Sequence, residues 1–396
     1  MNFLSTSPGL PSADDPAGFR AAAPVIKPDG ARSRCYGADL LRIVSMLMIL
    51  TSHFFVIGKS LGALNPSDVN FYFGWFIESC CYVMVDCFVL ITGYFQPQSK
   101  FRLKKFLLLW GQVIAVSGGI YIILVLAGKQ EYSPEGLYNA LTPITGSRYW
   151  FATAYLIFYA LTPLINFALD RADRKQHFTA CAVLWGLFII GRNFFYWVDF
   201  ANLHGGYTYT FFVVLYVTAA YLRKYPPKKR RWLAWYFFFS AVTAASRIGM
   251  TILYYKFRFD SVYVKMFTQY NSFPVAAASV CLFLFFVNLN IRGRVSRALI
   301  GFFAPLTFGV YLIHEQDELK AIYWPLLNPA QYARSPKLFL VLPLTVLSLF
   351  LVCSLLEFLR RKLSRALKIP ELFGAAADLL GRFFSRMTLR FLPPEE

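Results

Sequence analysis

The chain has 396 residues, of which 57% are hydrophobic and only 15% charged, at a mean hydropathy of +0.48. Soluble domains carry about a quarter charged residues, so this chain has more apolar surface than one aqueous core can hide. Its net charge of +19, from 40 Lys and Arg against 21 Asp and Glu, would suit a nucleic-acid binder. The basic residues instead form short clusters between long apolar runs, the pattern of a membrane protein obeying the positive-inside rule. Nucleic-acid binding is therefore not expected.

In chain order, residues 1–35 are polar and rich in Pro and Ala. They lack the short apolar core of a signal peptide and read as a disordered cytoplasmic tail. A spanning helix needs about 20 mostly apolar residues, and such runs fall at roughly 38–57, 71–95, 106–127, 149–168, 178–197, 207–222, 232–255, 271–290, 299–319 and 338–359. The connections alternate in charge. One set carries Arg32/Arg34, Lys100/Arg102/Lys104/Lys105, Arg171/Arg174/Lys175, Arg223/Lys224/Lys228–Arg231, Arg292/Arg294/Arg297 and Arg360/Arg361/Lys362. The other set, 58–70, 128–148, 198–206, 256–270 and 320–337, is sparser in Lys and Arg, with 256–270 the weakest case. Ten helices with both termini cytoplasmic put every basic loop on one side.

The expected fold is all-α, a polytopic transmembrane bundle of about ten helices over 36–360 with no separate soluble domain. A basic amphipathic cytoplasmic tail follows at 361–396, with pieces such as 372–391 suited to an anionic leaflet. No internal repeat or inverted pair of broken helices suggests a secondary transporter. Six of the seven cysteines lie in apolar segments, and no Cys/His spacing suggests zinc. No metal site is expected.

Ionisable side chains inside spans are costly, so each is a functional candidate. The first run holds Asp39, Arg42 and His53. Eleven residues at about 100° each come within about 20° of three full turns, so Arg42 and His53 share one face, about 16 Å apart along the axis. Arg42 is either a snorkelling anchor or a functional cation. His53 is either a packing histidine or, with a side chain that titrates near neutrality, a general base. In the second run Glu78 and Asp86 also share a face. Either could orient His53 or bind a hydroxyl, or could simply pair with a base such as Arg247. Lys100, Arg102, Lys104 and Lys105 satisfy the positive-inside rule by themselves, and would equally grip the phosphates of an anionic cosubstrate. His314, followed by Glu315, is the second candidate for handling protons. His177 and His204 fall in loops or at helix ends, where His204 could touch an acceptor.

The chain resembles the acyltransferase-3 family of bacterial membrane O-acyltransferases. The resemblance rests on the Arg–ten residues–His pattern of Arg42 and His53, then VDCFVLITGYF (85–95), the basic run after it, YWFATAYLIFYALTPLIN (149–166), YTYTFFVVLYVTAAYLRKY (207–225) and TFGVYLIHE (307–315). Family members often have Ser where Thr92 stands, a change that keeps the hydroxyl. No SGNH-type esterase domain follows the tenth run here, which leaves the transfer step to the membrane portion or to a partner.

The resemblance implies acetyl-CoA as cosubstrate, with no tightly bound cofactor. Its phosphates would dock on Arg42 and the Lys100–Lys105 cluster, and His53 would act as general base or pass through an acetyl-histidine. The implied acceptor is a surface glycan or lipid-linked sugar in the inner membrane, alongside membrane lipids and polysaccharide-assembly proteins. Trp150, Tyr155, Tyr311 and His314 are candidates to line its pocket, or aromatic belt and packing residues. A glycan or lipid-intermediate flippase without acyl transfer would spread its charges over several helices and repeat its halves. A membrane glycosyltransferase would call for a larger outer loop.

Overall fold

Each of the ten apolar runs contains a helix, as apolar sequence with no water to satisfy its backbone requires. The computed structural model describes residues 34–99, 101–146, 148–195, 203–228, 230–258 and 261–391, and among these there is no strand. Residues Tyr36–Glu396 form one unit, distinct from Met1–Cys35. Residues 1–33 of the tail expected over 1–35 lie outside the described residues.

Among the described residues, eight helical stretches are long and apolar enough to cross a membrane. They are α1 (Tyr36–Val56), α2 and α3 (Val69–Cys81 and Met84–Phe95, broken only at Tyr82–Val83), and α4 (Leu103–Leu126). Next come α6 (Trp150–Arg171), which follows the short α5 (Pro134–Leu141), and the stretch 174–194, made of α7 (Arg174–Trp185), a π-helical turn and α8 (Gly191–Phe194). The other two long helices are α10 (Trp232–Phe257) and α15 (Leu338–Ala366). The remaining stretch, Arg294–His314, is α12 (Arg294–Phe303) joined through Ala304–Leu306 to α13 (Thr307–His314).

The two other runs are α9 (Tyr209–Lys224) and α11 (Phe273–Val287), of 16 and 15 residues. At about 1.5 Å per residue they reach about 24 and 22 Å, short of a hydrocarbon core of about 30 Å. Both are enclosed by protein: α9 packs on α3, α6 and α7, and α11 on α10, α3 and α1. Phe211, Phe212, Leu215 and Tyr216 of α9 are fully buried. Irregular backbone is tolerated at membrane depth where protein surrounds it, and the segments before these helices, 203–208 and 261–272, are turns and 3-10 helix.

Outward-facing Leu344, Leu351, Leu355 and Leu359 of α15 are exposed, as residues that face lipid should be. The core instead holds polar groups: Glu78, Asp86, Glu357 and His314 are all buried. Glu357 accepts two hydrogen bonds from Arg360, at 2.7 and 2.8 Å, and one from Gln112 at 3.2 Å, so its charge is compensated. Gly309 of α13 lies directly over it. A Cβ there would sit 2.2 Å from Glu357 Cδ, so only glycine lets α13 settle on α15.

Two segments expected as loops are helical. α5 starts at Pro134 after a Ser133 cap whose hydroxyl accepts from Gly136 N at 2.9 Å, a favourable helix start. α14 (Asp317–Leu327) begins with two acidic residues and is capped by the Gln316 side chain, which accepts from Leu319 N at 2.8 Å. At the other end of the chain, α16 (Ile369–Phe391) packs on α4. It leaves Leu372, Leu379 and Phe383 exposed.

Candidate active site

α1 carries Arg42 near its start and His53 near its end. Both line one cavity of about 340 Å³ that follows α1 between α3, α6 and α13. Arg42, Asp39 and Lys105 stand at one end, and His53 and Glu315 at the other. α6 runs antiparallel to α1 along this cavity. Phe151, one residue into α6, packs on Tyr311 with ring centroids 5.6 Å apart, whereas Tyr159 lies under the Lys105 ammonium at 5.1 Å. Between them the Tyr155 hydroxyl meets Thr92 Oγ1 at 3.1 Å, so the hydroxyl kept at Thr92 has a structural use.

The His53 end is a compact network. His314 Nδ1 lies 2.7 Å from Val310 O. A carbonyl oxygen only accepts, so His314 carries its proton on Nδ1 and, as a neutral ring, offers a lone pair at Nε2. That nitrogen is 3.2 Å from His53 Nδ1. His53 Nδ1 therefore donates, and the reactive lone pair of His53 is on Nε2. Glu315 Oε2 lies 3.2 Å from the same His53 Nδ1, an ion-pair distance without an aligned hydrogen bond. It is placed to stabilise an imidazolium when one forms. A base oriented by a second group is the arrangement proton abstraction needs.

Glu315 is held in turn. Lys320 Nζ donates to Glu315 Oε1 at 2.6 Å and approaches Asp317 Oδ1 at 3.1 Å. Burial pulls the Lys320 ammonium down, but its hydrogen bonds to Glu315 and Asp317 outweigh this and raise it above the ordinary lysine range. Just before α6, Arg148 donates to Glu318 Oε1 at 2.6 Å and reaches Asp317 Oδ2 at 3.5 Å. Burial lowers Arg148, and the Glu318 and Asp317 carboxylates more than offset it, so its net shift is upward. Arg148 ties the segment before α6 to α14, and Lys320 ties α14 to Glu315 at the end of α13. The nitrogens and carboxylate of His53, His314 and Glu315 lie within 4.8 Å of one another, a spacing a transition metal could use. The Lys320 ammonium on Glu315 already supplies a cation there.

The other expected residues divide. Trp150, Tyr155 and Tyr311 line the cavity. His314 sits behind His53. Glu78 does not face His53; it accepts a hydrogen bond from Ser52, the preceding residue, at 2.7 Å and feels the charge of Arg247. Asp86 accepts from Ser279 of α11 at 2.9 Å and ties α3 to it. The short break at Tyr82–Val83 stands between the two carboxylates, and each is held by a serine of a different helix.

The basic cluster also divides. Lys105 turns into the cavity beside Arg42, Arg102 stays exposed at the start of α4, and Lys104 lies against Gly374 of α16. Lys100 lies outside the described residues. Arg42 is paired to Asp39 one turn before it. His177 binds Val217 O at 3.0 Å, away from the cavity.

Three residues that sequence reasoning did not assign to the site belong to it: Glu315, Lys320 and Tyr270. The spacing of Glu315 and Lys320 just past the His314 helix end was a usable signal for the first two. Tyr270 lines the cavity from an irregular segment and left no such pattern.

The family model described as "Acyltransferase domain", that of the acyltransferase-3 family, matches residues 36–358, a span that holds every residue of the cavity. No curated protein and no solved structure matches the chain. From the family match, and from a membrane-length helix bundle built around an oriented histidine, the chain belongs to the acyltransferase-3 family and is a membrane acyltransferase.

Proposed function

We propose that this protein transfers an acetyl group from cytoplasmic acetyl-CoA to a hydroxyl of a surface glycan. The observation that carries the reading is a single cavity with cations at one end and an oriented base at the other. Arg42 and Lys105 suit the phosphates of the donor. The distance from Arg42 to His53, about 16 Å along α1, suits the extended pantetheine arm. Asp39 is the group that phosphate would displace from Arg42.

In the reaction, the acceptor hydroxyl gives its proton to His53 Nε2 as its oxygen attacks the thioester carbonyl. A C–O bond forms, the C–S bond breaks, and the imidazolium returns the proton to the departing thiolate. The Glu315 carboxylate offsets the transient charge on His53. The Lys100–Lys105, Arg171–Lys175 and Arg223–Lys228 loops support a cytoplasmic location for the Arg42 end, with both termini cytoplasmic in the inner membrane. Polysaccharide-assembly proteins and membrane lipids are the expected neighbours.

The test is NMR of the surface glycan from wild-type, deletion and His53→Ala strains. O-acetyl signals should vanish in both mutants while the His53→Ala protein stays in the membrane. Intact O-acetylation in the His53→Ala strain would refute the assignment.

A further inference from the structure

We infer that Tyr207, packed at a tilt against the stacked pair Trp150 and Tyr270, forms an aromatic platform that binds a pyranose ring of the acceptor beside His53; this rests on the acetyl-transfer reading above. The three rings are in mutual contact, with centroids 4.5 Å apart for Trp150–Tyr207, 4.7 Å for Tyr207–Tyr270 and 6.1 Å for Trp150–Tyr270. Trp150 and Tyr270 form part of the cavity wall. Tyr207 touches both and is 47% exposed, so it carries that wall outward from the cavity to the surface.

The backbone is built for this placement. His204, Gly205 and Gly206 are three consecutive residues at positive φ, +44°, +71° and +96°. A Cβ on Gly206 would lie 2.8 Å from Tyr270 Cβ and 3.0 Å from Asn271 N. Only glycine allows the turn to lie flat on the 269–271 segment and deliver Tyr207 onto the other two rings. That segment is itself pinned. Arg192 donates to the Gln269 side chain, and Asn193 Oδ1 accepts from Phe273 N at 2.9 Å. Surface tyrosines that pack by chance need no such scaffold.

Position decides between donor and acceptor. α6 descends from Trp150 at the His53 end to Tyr159 under Lys105, about 13 Å along its axis, so the phosphate-binding cations stand at the far end from the platform. The ring stack lies on the side where a hydroxyl must approach His53. A pyranose presents a flat C–H face and a rim of hydroxyls. The first suits an aromatic ring, and the second suits the polar edge formed by the tyrosine hydroxyls and Glu315. A pyranose uses both the ring faces and the polar edge, whereas an apolar acyl chain would use only the ring faces.

The test uses full-length enzyme in nanodiscs, acetyl-CoA as donor and the host's surface polysaccharide after mild alkaline O-deacetylation as acceptor. Thiol release and acetyl transfer are measured separately while each substrate is varied. Tyr207→Ala should raise the KM for the glycan about tenfold, the size expected for one lost aromatic contact. The KM for acetyl-CoA should move less than twofold, and Tyr207→Phe, which keeps the ring and loses one edge hydroxyl, should raise the glycan KM clearly less than Tyr207→Ala. Tyr207→Leu fills the volume without a ring and should behave like Tyr207→Ala if the alanine variant folds poorly. An unchanged glycan KM in both ring-less variants, or a rise in the acetyl-CoA KM instead, overturns the platform. A wild-type enzyme that transfers no acetyl to the glycan is a failure of the acetyl-transfer reading, and removes the platform with it.

Discussion

Replacing His314 by Ala tests the oriented base most directly. The side chain is 1% exposed, so the change leaves a polar-lined hole and removes the acceptor 3.2 Å from His53 Nδ1. One such hydrogen bond contributes about 0.5–1.5 kcal/mol, equivalent to roughly 2- to 13-fold in rate at 1.36 kcal/mol per decade. Loss of the correct tautomer adds to this, because general-base catalysis as a whole is worth about 10²–10⁴. The expected fall in kcat is therefore between about 10- and 100-fold, with little change in the KM for acetyl-CoA. His53→Ala should cost the full general-base contribution. The decisive measurement is the double variant, assayed by thiol release under saturating donor. Since His314 acts through His53, His53→Ala/His314→Ala should be no slower than His53→Ala alone. Additive losses would show that His314 acts on the reaction independently and would refute the orienting role.

Three more outcomes follow from the same geometry. Arg42→Ala and Lys105→Ala should each raise the KM for acetyl-CoA severalfold and leave the glycan KM in place, read by donor titration. Lys320→Met frees Glu315 from its clamp and should lower kcat by about 10- to 150-fold on the cost of one charged hydrogen bond, about 1.5–3 kcal/mol, with Lys320→Arg recovering part of it. Because the folded-state pKa of Lys320 is raised, the clamp's contribution to stability is complete below the ordinary lysine pKa. It is lost only as pH rises through the raised value, so a pH–rate profile from 6 to 9 should show no inflection from it. Gly309→Ala drives a methyl to within 2.2 Å of Glu357. It should destabilise the protein by about 1–3 kcal/mol, seen as a lower thermal midpoint in detergent; an unchanged midpoint would show that α13 and α15 can separate freely.

Composition and hydrophobic run length determined the all-α membrane class, because the bilayer imposes length and internal hydrogen bonding on every span. Helical periodicity put Arg42 and His53 on one face, and both do line the cavity. The sequence could also flag Glu78 and Asp86 as costly, since a buried charge is expensive wherever it lies. Their partners, Ser52 and Ser279, are 26 and 193 residues away and were not legible. The basic cluster showed the same limit. Lys104 and Lys105 are neighbours in sequence, yet one packs on α16 and the other turns to Arg42, because adjacent side chains on a helix point about 100° apart.

Tertiary structure alone decided what His53 is paired with. His314 and Glu315 lie about 260 residues from it, and they meet it because α13 packs directly on α1. The tyrosines of the proposed acceptor platform come from irregular segments with no hydrophobic period to read. Local pattern thus located the expensive residues. Long-range packing chose their partners, since the chemistry of a buried base depends on the few atoms within about 3 Å of it.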